Sequence, residues 1–163
     1  MTYLIAFDGS DDARAAIAYT GARLRPEPTV VLTVWEPLLS HLAWAPLSAG
    51  GPVPAQQQDE QWEEERQAER VAREGADLAT AAGLPEARPV AGRGTGPVWA
   101  TIVDHAAELD ASLIVVGSRG LSRVKSVLLG SVSDRVLHHA GRPTLIVPPA
   151  DRTSRPGPPG QAD

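Results

Sequence analysis

The chain predicts a doubly wound α/β domain, with five parallel strands in a single sheet and helices on both faces. Three observations carry this. Apolar runs at residues 3–7, 29–35 and 113–116 lack polar alternation, as strands covered on both faces do. Segments whose apolar residues recur at helical spacing lie between the runs. Right-handed crossovers through such segments build a parallel sheet. A length of 163 residues with 42% hydrophobic content is enough for one domain and one sizeable core. That domain is expected over residues 1–148.

Residues 3–7 read as the first strand. Asp8-Gly9-Ser10 follows as a turn, with Ser10 or Asp11 as the N-cap of a helix. Ala13, Ala16, Ile17, Thr20 and Leu24 make its apolar stripe, and Pro26 stops it. Asp8 falls at the carboxyl end of a strand, where parallel sheets bind ligands. A cap on the turn accounts for it equally well. Residues 29–35 form the second strand. Trp35 at its end suits stacking on a base, although an aromatic there more often belongs to the core.

Residues 36–58 contain Pro37, Pro46, Pro52, Pro54 and Gly50-Gly51, which fit neither a long helix nor a strand. So long a loop is either a lid or a passive excursion. His41 lies within it, without a second ligand at metal spacing. Residues 59–82 form the longest helix. Its stripe is Ala68, Val71, Ala72, Gly75, Leu78, Ala79 and Ala82, and Gly83 and Pro85 close it. The Glu63-Glu64-Glu65 run reads as a solvated helix start, where the dipole favours negative charge.

Residues 87–91 form a third strand. Gly92-Arg93-Gly94-Thr95-Gly96 matches part of a dinucleotide fingerprint, but the next required glycine is Pro97. Thr95 is instead expected to cap the next helix, with Pro97 in its first turn. Val98, Ile102, Ala106 and Leu109 face the sheet, and His105 lies in the helix without a partner that would make it catalytic. The last helix spans about 132–140, where Ser131-x-x-Asp134 resembles a capping box. His138-His139 suit a helix C-terminus. Residues 143–148 form a short strand fenced by prolines, which belongs at a sheet edge. Residues 149–163, rich in proline and glycine, are expected to be disordered.

The chain is organised around Leu113-Ile114-Val115-Val116-Gly117-Ser118-Arg119-Gly120, followed nine residues later by Gly130-Ser131-Val132-Ser133. Gly117 and Gly120 let the backbone turn sharply and expose its N–H groups. Ser131 and Ser133 add hydroxyls at a helix start, where free N–H groups and the helix dipole favour an anion such as phosphate. Between Ser118 and Arg142 the bases Arg119, Arg123, Lys125, Arg135 and Arg142 face one acid, Asp134, so a local positive excess favours a polyphosphate. A solvated loop before an ordinary capped helix is the competing reading.

The pattern Gly-x2-Gly-x9-Gly-Ser, met by Gly117, Gly120, Gly130 and Ser131, resembles the ATP-binding branch of the universal stress protein family. The flanks at 110–119 and 131–140, and Asp8 after the first strand, are similar to that family too. The resemblance implies a strand order of 3-2-1-4-5, with a crevice between strands one and four. It implies ATP bound with adenine near Val34 and ribose near Asp8 and Gly117. Phosphates would lie on Gly120, Gly130, Ser131, Val132 and Ser133, with Ala6, Phe7 and Arg119 completing the site. Mg2+ would be held mainly by phosphates and water. It further implies a homodimer through Thr144, Leu145, Ile146 and Val147.

Composition bounds the alternatives. A net charge of −5, and a basic loop without interleaved aromatics, argue against nucleic acid. No window has the apolar length of a membrane span. The absence of cysteine rules out disulfide frameworks and cysteine-based sites. The first residues lack the pattern of a signal peptide, so a cytoplasmic location is expected. Two function classes remain, a nucleotide-binding stress or signalling module and a slow ATPase or phosphotransferase. Against the enzyme, no Gly-x4-Gly-Lys-Ser/Thr loop is present and no acid is clearly placed to activate water. A dimeric scaffold that uses no nucleotide is disfavoured by the intact glycine pattern.

Overall fold

Strand β1 (Tyr3–Ala6) lies at the centre of a five-stranded sheet, between β2 (Thr29–Trp35) and β4 (Leu113–Gly117). The outer strands are β3 (Arg88–Arg93), beside β2, and β5 (Thr144–Val147), beside β4, so the order is β3-β2-β1-β4-β5. All pairings are parallel, with Tyr3 in register with Thr29 and Leu113, Val30 with Arg88, and Ile114 with Thr144. The computed structural model describes residues 1–36, 55–120 (55–60 for their backbone alone) and 129–149.

Successive residues of a strand point to opposite faces, and here both faces are covered. Ile5, Val31 and Val115 pack with Ala13, Ala16 and Ile17 of α1 (Asp11–Arg23) and Ala76 and Ala79 of α2 (Ala55–Ala81). Leu4, Val30, Leu32, Ile114 and Val116 pack on the other face with Ile102 and Ala106 of α3 (Val98–Glu108) and Val136 of α4 (Ser131–His139). Full burial of one such aliphatic side chain contributes roughly 1.5–3 kcal/mol.

The helix ends follow local chemistry, with several departures from expectation. Ser10 caps α1, its hydroxyl accepting from the Ala13 N–H at 3.2 Å. Leu24 is the C-cap of that helix rather than part of its stripe. α2 starts at Ala55, not Asp59, because good helix formers follow Pro54 directly. Ala76, absent from the expected stripe, is buried. Gly83 ends α2 at φ 88°, where the N–H of Leu84 reaches the carbonyl of Ala79 at 3.0 Å.

β3 begins at Arg88 and runs two residues past Ala91, because each of its residues finds a register partner on β2. Its edge position accommodates Pro89, since one side of an edge strand carries no ladder. Thr95 does not cap α3. The N-cap is Pro97, in an extended conformation and without a side-chain hydrogen bond, and Thr95 lies two residues too early. α4 lacks the capping box as well, because Gly130 takes the N-cap and Ser131 is already helical. His105 Nδ1 lies 3.5 Å from Glu108, one turn further along the same helix.

The expected tail lies, from residue 150 onward, outside the described residues. So do His41 and most of the 36–58 loop, whose last four residues belong to α2.

Candidate functional site

The carboxyl ends of β1, β2 and β4 open into a cavity of about 380 Å³, within the size range of small-molecule sites. Every residue expected at the site lines it. Ala6, Phe7 and Asp8 enter from the end of β1, and Val34 from β2. Gly117, Arg119 and Gly120 follow β4, while Gly130, Ser131, Val132 and Ser133 form the start of α4. Ala13, Leu32, Val98, Ile102 and Val116 complete the lining. Of these, Leu32, Val98 and Ile102 make an aliphatic wall with Val34 on the β2–α3 side.

The opposite wall is mostly main chain. The N–H groups of Ser131, Val132 and Ser133 occupy the first turn of α4, where no intrahelical acceptor exists. The dipole adds partial positive charge at that end. Gly130 is different, because its N–H already donates to the Ser118 carbonyl at 2.7 Å. The Ser133 hydroxyl is committed too, donating to the Gly117 carbonyl at 2.6 Å in a buried position. It ties α4 to the end of β4.

Ser118 is the hub of this corner. Its N–H donates to the Val147 carbonyl at 2.7 Å, its carbonyl accepts from Gly130, and its hydroxyl donates to Asp12 at 3.1 Å. The neighbouring glycines permit close approach rather than unusual backbone angles. The positive-φ glycines among the described residues are Gly9, Gly83 and Gly141. A Cβ on Gly117 would lie 2.8 Å from the Asp12 backbone, on Gly120 2.8 Å from Asp8 Oδ2, and on Gly130 3.2 Å from the Ser118 carbonyl oxygen. The chain bends at Ser118 and Arg119 directly after Gly117, and Gly117 itself serves tight contact between β4 and α1.

Asp8 both lines the cavity and holds a turn, since its Oδ1 accepts from the Ser10 N–H at 3.0 Å. Trp35 does not line this cavity. It borders a second one beside α2 with Glu63, Gln67 and Val71, and Arg93 lies 5.8 Å from its ring centroid. The local basic excess largely goes elsewhere. Arg142 lies 3.7 Å from Asp110 and donates to the Ala111 carbonyl, Arg135 is exposed on α4, and Arg123 and Lys125 lie outside the described residues. Arg119 is the basic residue that lines the cavity among those described.

Sequence reading missed Asp12. It is buried, and its carboxylate meets both Ser118 and Arg119. A signal was present, since Asp12, Ala16 and Thr20 share one helical face at spacing four. An acid heading a buried stripe needs a partner.

The universal stress protein family model matches residues 1–148. The chain belongs to this family. A Thermus aquaticus relative, "Universal stress protein in QAH/OAS sulfhydrylase 3'region", is 33% identical over 150 residues, covering 90% of this chain and 97% of the relative. A universal stress protein solved in complex with cAMP superposes with a TM-score of 0.58 at 26% identity, covering 92% of this chain and 98% of that one. The universal stress protein UspA from Lactobacillus plantarum has the same fold, with a TM-score of 0.67 at 22% identity over 90% of this chain and 97% of its own.

Proposed function

We propose that the chain is an adenine-nucleotide-binding universal stress protein, with ATP and Mg2+ as its ligand. The observation that carries this is the pairing, in one cavity, of an aliphatic wall with a row of main-chain donors that have no partner among the described residues. Leu32, Val34, Val98 and Ile102 offer an apolar face suited to a flat base. The first turn of α4 offers N–H groups and a positive dipole end to phosphates. A Cβ at Gly120 or Gly130 would crowd that end, so the residues present fit the ligand. The cAMP complex of a family member supports an adenine nucleotide as the class.

In this reading Val34 holds the base, and Asp8 and Gly117 lie beside the ribose. Gly120 and the residues from Gly130 to Ser133 surround the phosphates. Gly130 contributes by having no side chain, because its N–H is taken. Mg2+ supplies charge neutralisation on the phosphates. Among the described residues no cluster of three or more acids or histidines is set to hold a metal, and Mg2+ is commonly bound through phosphates and water.

The same proposal includes a cytoplasmic homodimer. β5 pairs with β4 along one edge, and Thr144, Leu145 and Ile146 are half-buried. An apolar strand edge without charge invites pairing with a second chain unless it is covered. No helix among the described residues is long and apolar enough to cross a membrane.

Mass spectrometry of the gently purified protein tests the ligand directly. The expected result is a co-purified adenine nucleotide, or, after its removal, calorimetric binding of ATP-Mg. Failure of ATP, AMP and cAMP alike to bind the stripped protein overturns the reading.

A further inference from the structure

Asp12 stands in the first turn of α1, yet its side-chain bonds run to the segment that leaves β4. Its Oδ2 lies 3.1 Å from Ser118 Oγ, 3.1 Å from the Arg119 backbone nitrogen and 3.5 Å from Arg119 Nε. One carboxylate oxygen thus gathers donors from two successive residues as the chain leaves β4. Capping does not explain this, because Ser10 already caps α1. The contact depends on Gly117, where any side chain would strike the Asp12 backbone.

Arg119 is held at its inner edge. The backbone N–H is a normal hydrogen bond, and Nε sits at ion-pair distance. Neither Nη group has a hydrogen-bond partner among the described residues, and Arg119 lines the cavity. A guanidinium steadied through Nε keeps outer N–H groups in a planar fork that matches phosphate oxygens.

We propose that Asp12 is a positioning residue for the phosphate end of the ligand, holding Arg119 so that its Nη groups receive a phosphate. The inference rests on the nucleotide reading and adds the residue that sets preference for a charged ligand. Its sign is opposite to that of simple Coulomb repulsion. A buried carboxylate near a polyphosphate repels it, so removing the charge alone would tighten binding. Removing a positioning residue returns Arg119 to its free rotamers and loosens binding.

Calorimetric titration of the full chain with ATP-Mg and with adenosine decides the matter, using wild type, Arg119→Ala, Asp12→Ala and the double variant. Asp12→Asn serves in parallel should Asp12→Ala not fold, since it keeps an acceptor oxygen for Ser118 while losing the ionic hold on Arg119. The ratio of ATP to adenosine affinity should fall about tenfold in each single alanine variant and no further in the double, as expected for two residues acting as one unit. Asp12→Asn should lower the ratio by a smaller factor. A ratio that stays level or rises in Asp12→Ala and Asp12→Asn overturns the proposal, as does a double variant whose loss is the product of the singles. Wild type that binds ATP while the ratio fails to move sinks this inference alone. Wild type that binds neither ligand sinks the nucleotide reading and this inference with it.

Discussion

The N–H of Gly130 donates to the carbonyl oxygen of Ser118 at 2.7 Å, so the chain that leaves β4 returns to α4 through a closed neck. The first turn of α4, which lines the cavity, is thereby fixed to the end of a central strand.

Gly130→Ala should strain that neck. The new Cβ would stand 3.2 Å from the Ser118 carbonyl oxygen and 3.4 Å from Arg119 Cα, both main-chain atoms. A loss of about 1 kcal/mol in stability is expected, with ATP binding weakened about tenfold or more. Urea unfolding and calorimetry measure the two effects. Wild-type values in both would show that the neck yields without cost.

Gly120→Ala should separate stability from binding. Its Cβ would meet Asp8 Oδ2 at 2.8 Å, the end of an exposed side chain that can swing away. Stability should stay within about 0.5 kcal/mol of wild type. Binding of ATP should still weaken, because the methyl group and the displaced carboxylate both intrude on the phosphate end. Unfolding midpoints that match while titration curves diverge would be the signature.

Ser133→Ala tests the tie between α4 and β4. The lost hydroxyl donates to the Gly117 carbonyl from a buried position. Removing one partner of a buried hydrogen bond costs about 1–3 kcal/mol. A variant as stable as wild type in urea would show that the bond contributes nothing net.

The strands and most helices were legible in the sequence because they rest on local signals. The strand order and the residues at the cavity came instead with the family resemblance that the glycine pattern carries. Unbroken apolar runs identified β1, β2 and β4, and the glycine spacing brought both ends of the loop to one place. What stayed hidden depends on contacts between distant segments. Asp12 and Ser118 are 106 positions apart, and no local periodicity announces their bond. The cap of α4 was hidden for the same reason, since Gly130 is held by the Ser118 carbonyl as well as by the Asp134 N–H of its own helix. The motif glycines were read for backbone freedom, whereas the structure uses their lack of a side chain.

ATP-Mg should raise the melting temperature of the chain. A ligand at about a hundred times its Kd stabilises the native state by about 2.7 kcal/mol. For a domain of this size that corresponds to roughly 5–10 °C. Melts at rising ATP should show a shift that grows with the logarithm of concentration. A flat response at millimolar ATP would count against the site.

Ile146→Lys should shift the protein towards monomer. Ile146 is half-buried on the edge strand β5, and a charge there disfavours pairing with a second chain. Sedimentation should find wild type dimeric at micromolar concentration and the variant lighter. Circular dichroism of the variant must first show a native fold, because Ile146 also packs against the core. A monomeric wild type would refute the edge as an assembly surface.

The sheet order has a consequence for how the molecule comes apart. β1 and β4 each carry a neighbour on both sides, whereas β3 and β5 are held along one edge. Local opening proceeds most easily where few buried contacts must break. Amide protons of Ile5 and Val115 should therefore exchange slowest, and those of β3 and β5 earlier. The cavity is mounted on the ends of the strands that open last. Fraying at the β3 margin thus leaves the floor of the cavity intact. Fraying at β5 removes the Val147 carbonyl that holds the Ser118 N–H, so the two margins are not equivalent for what the centre holds.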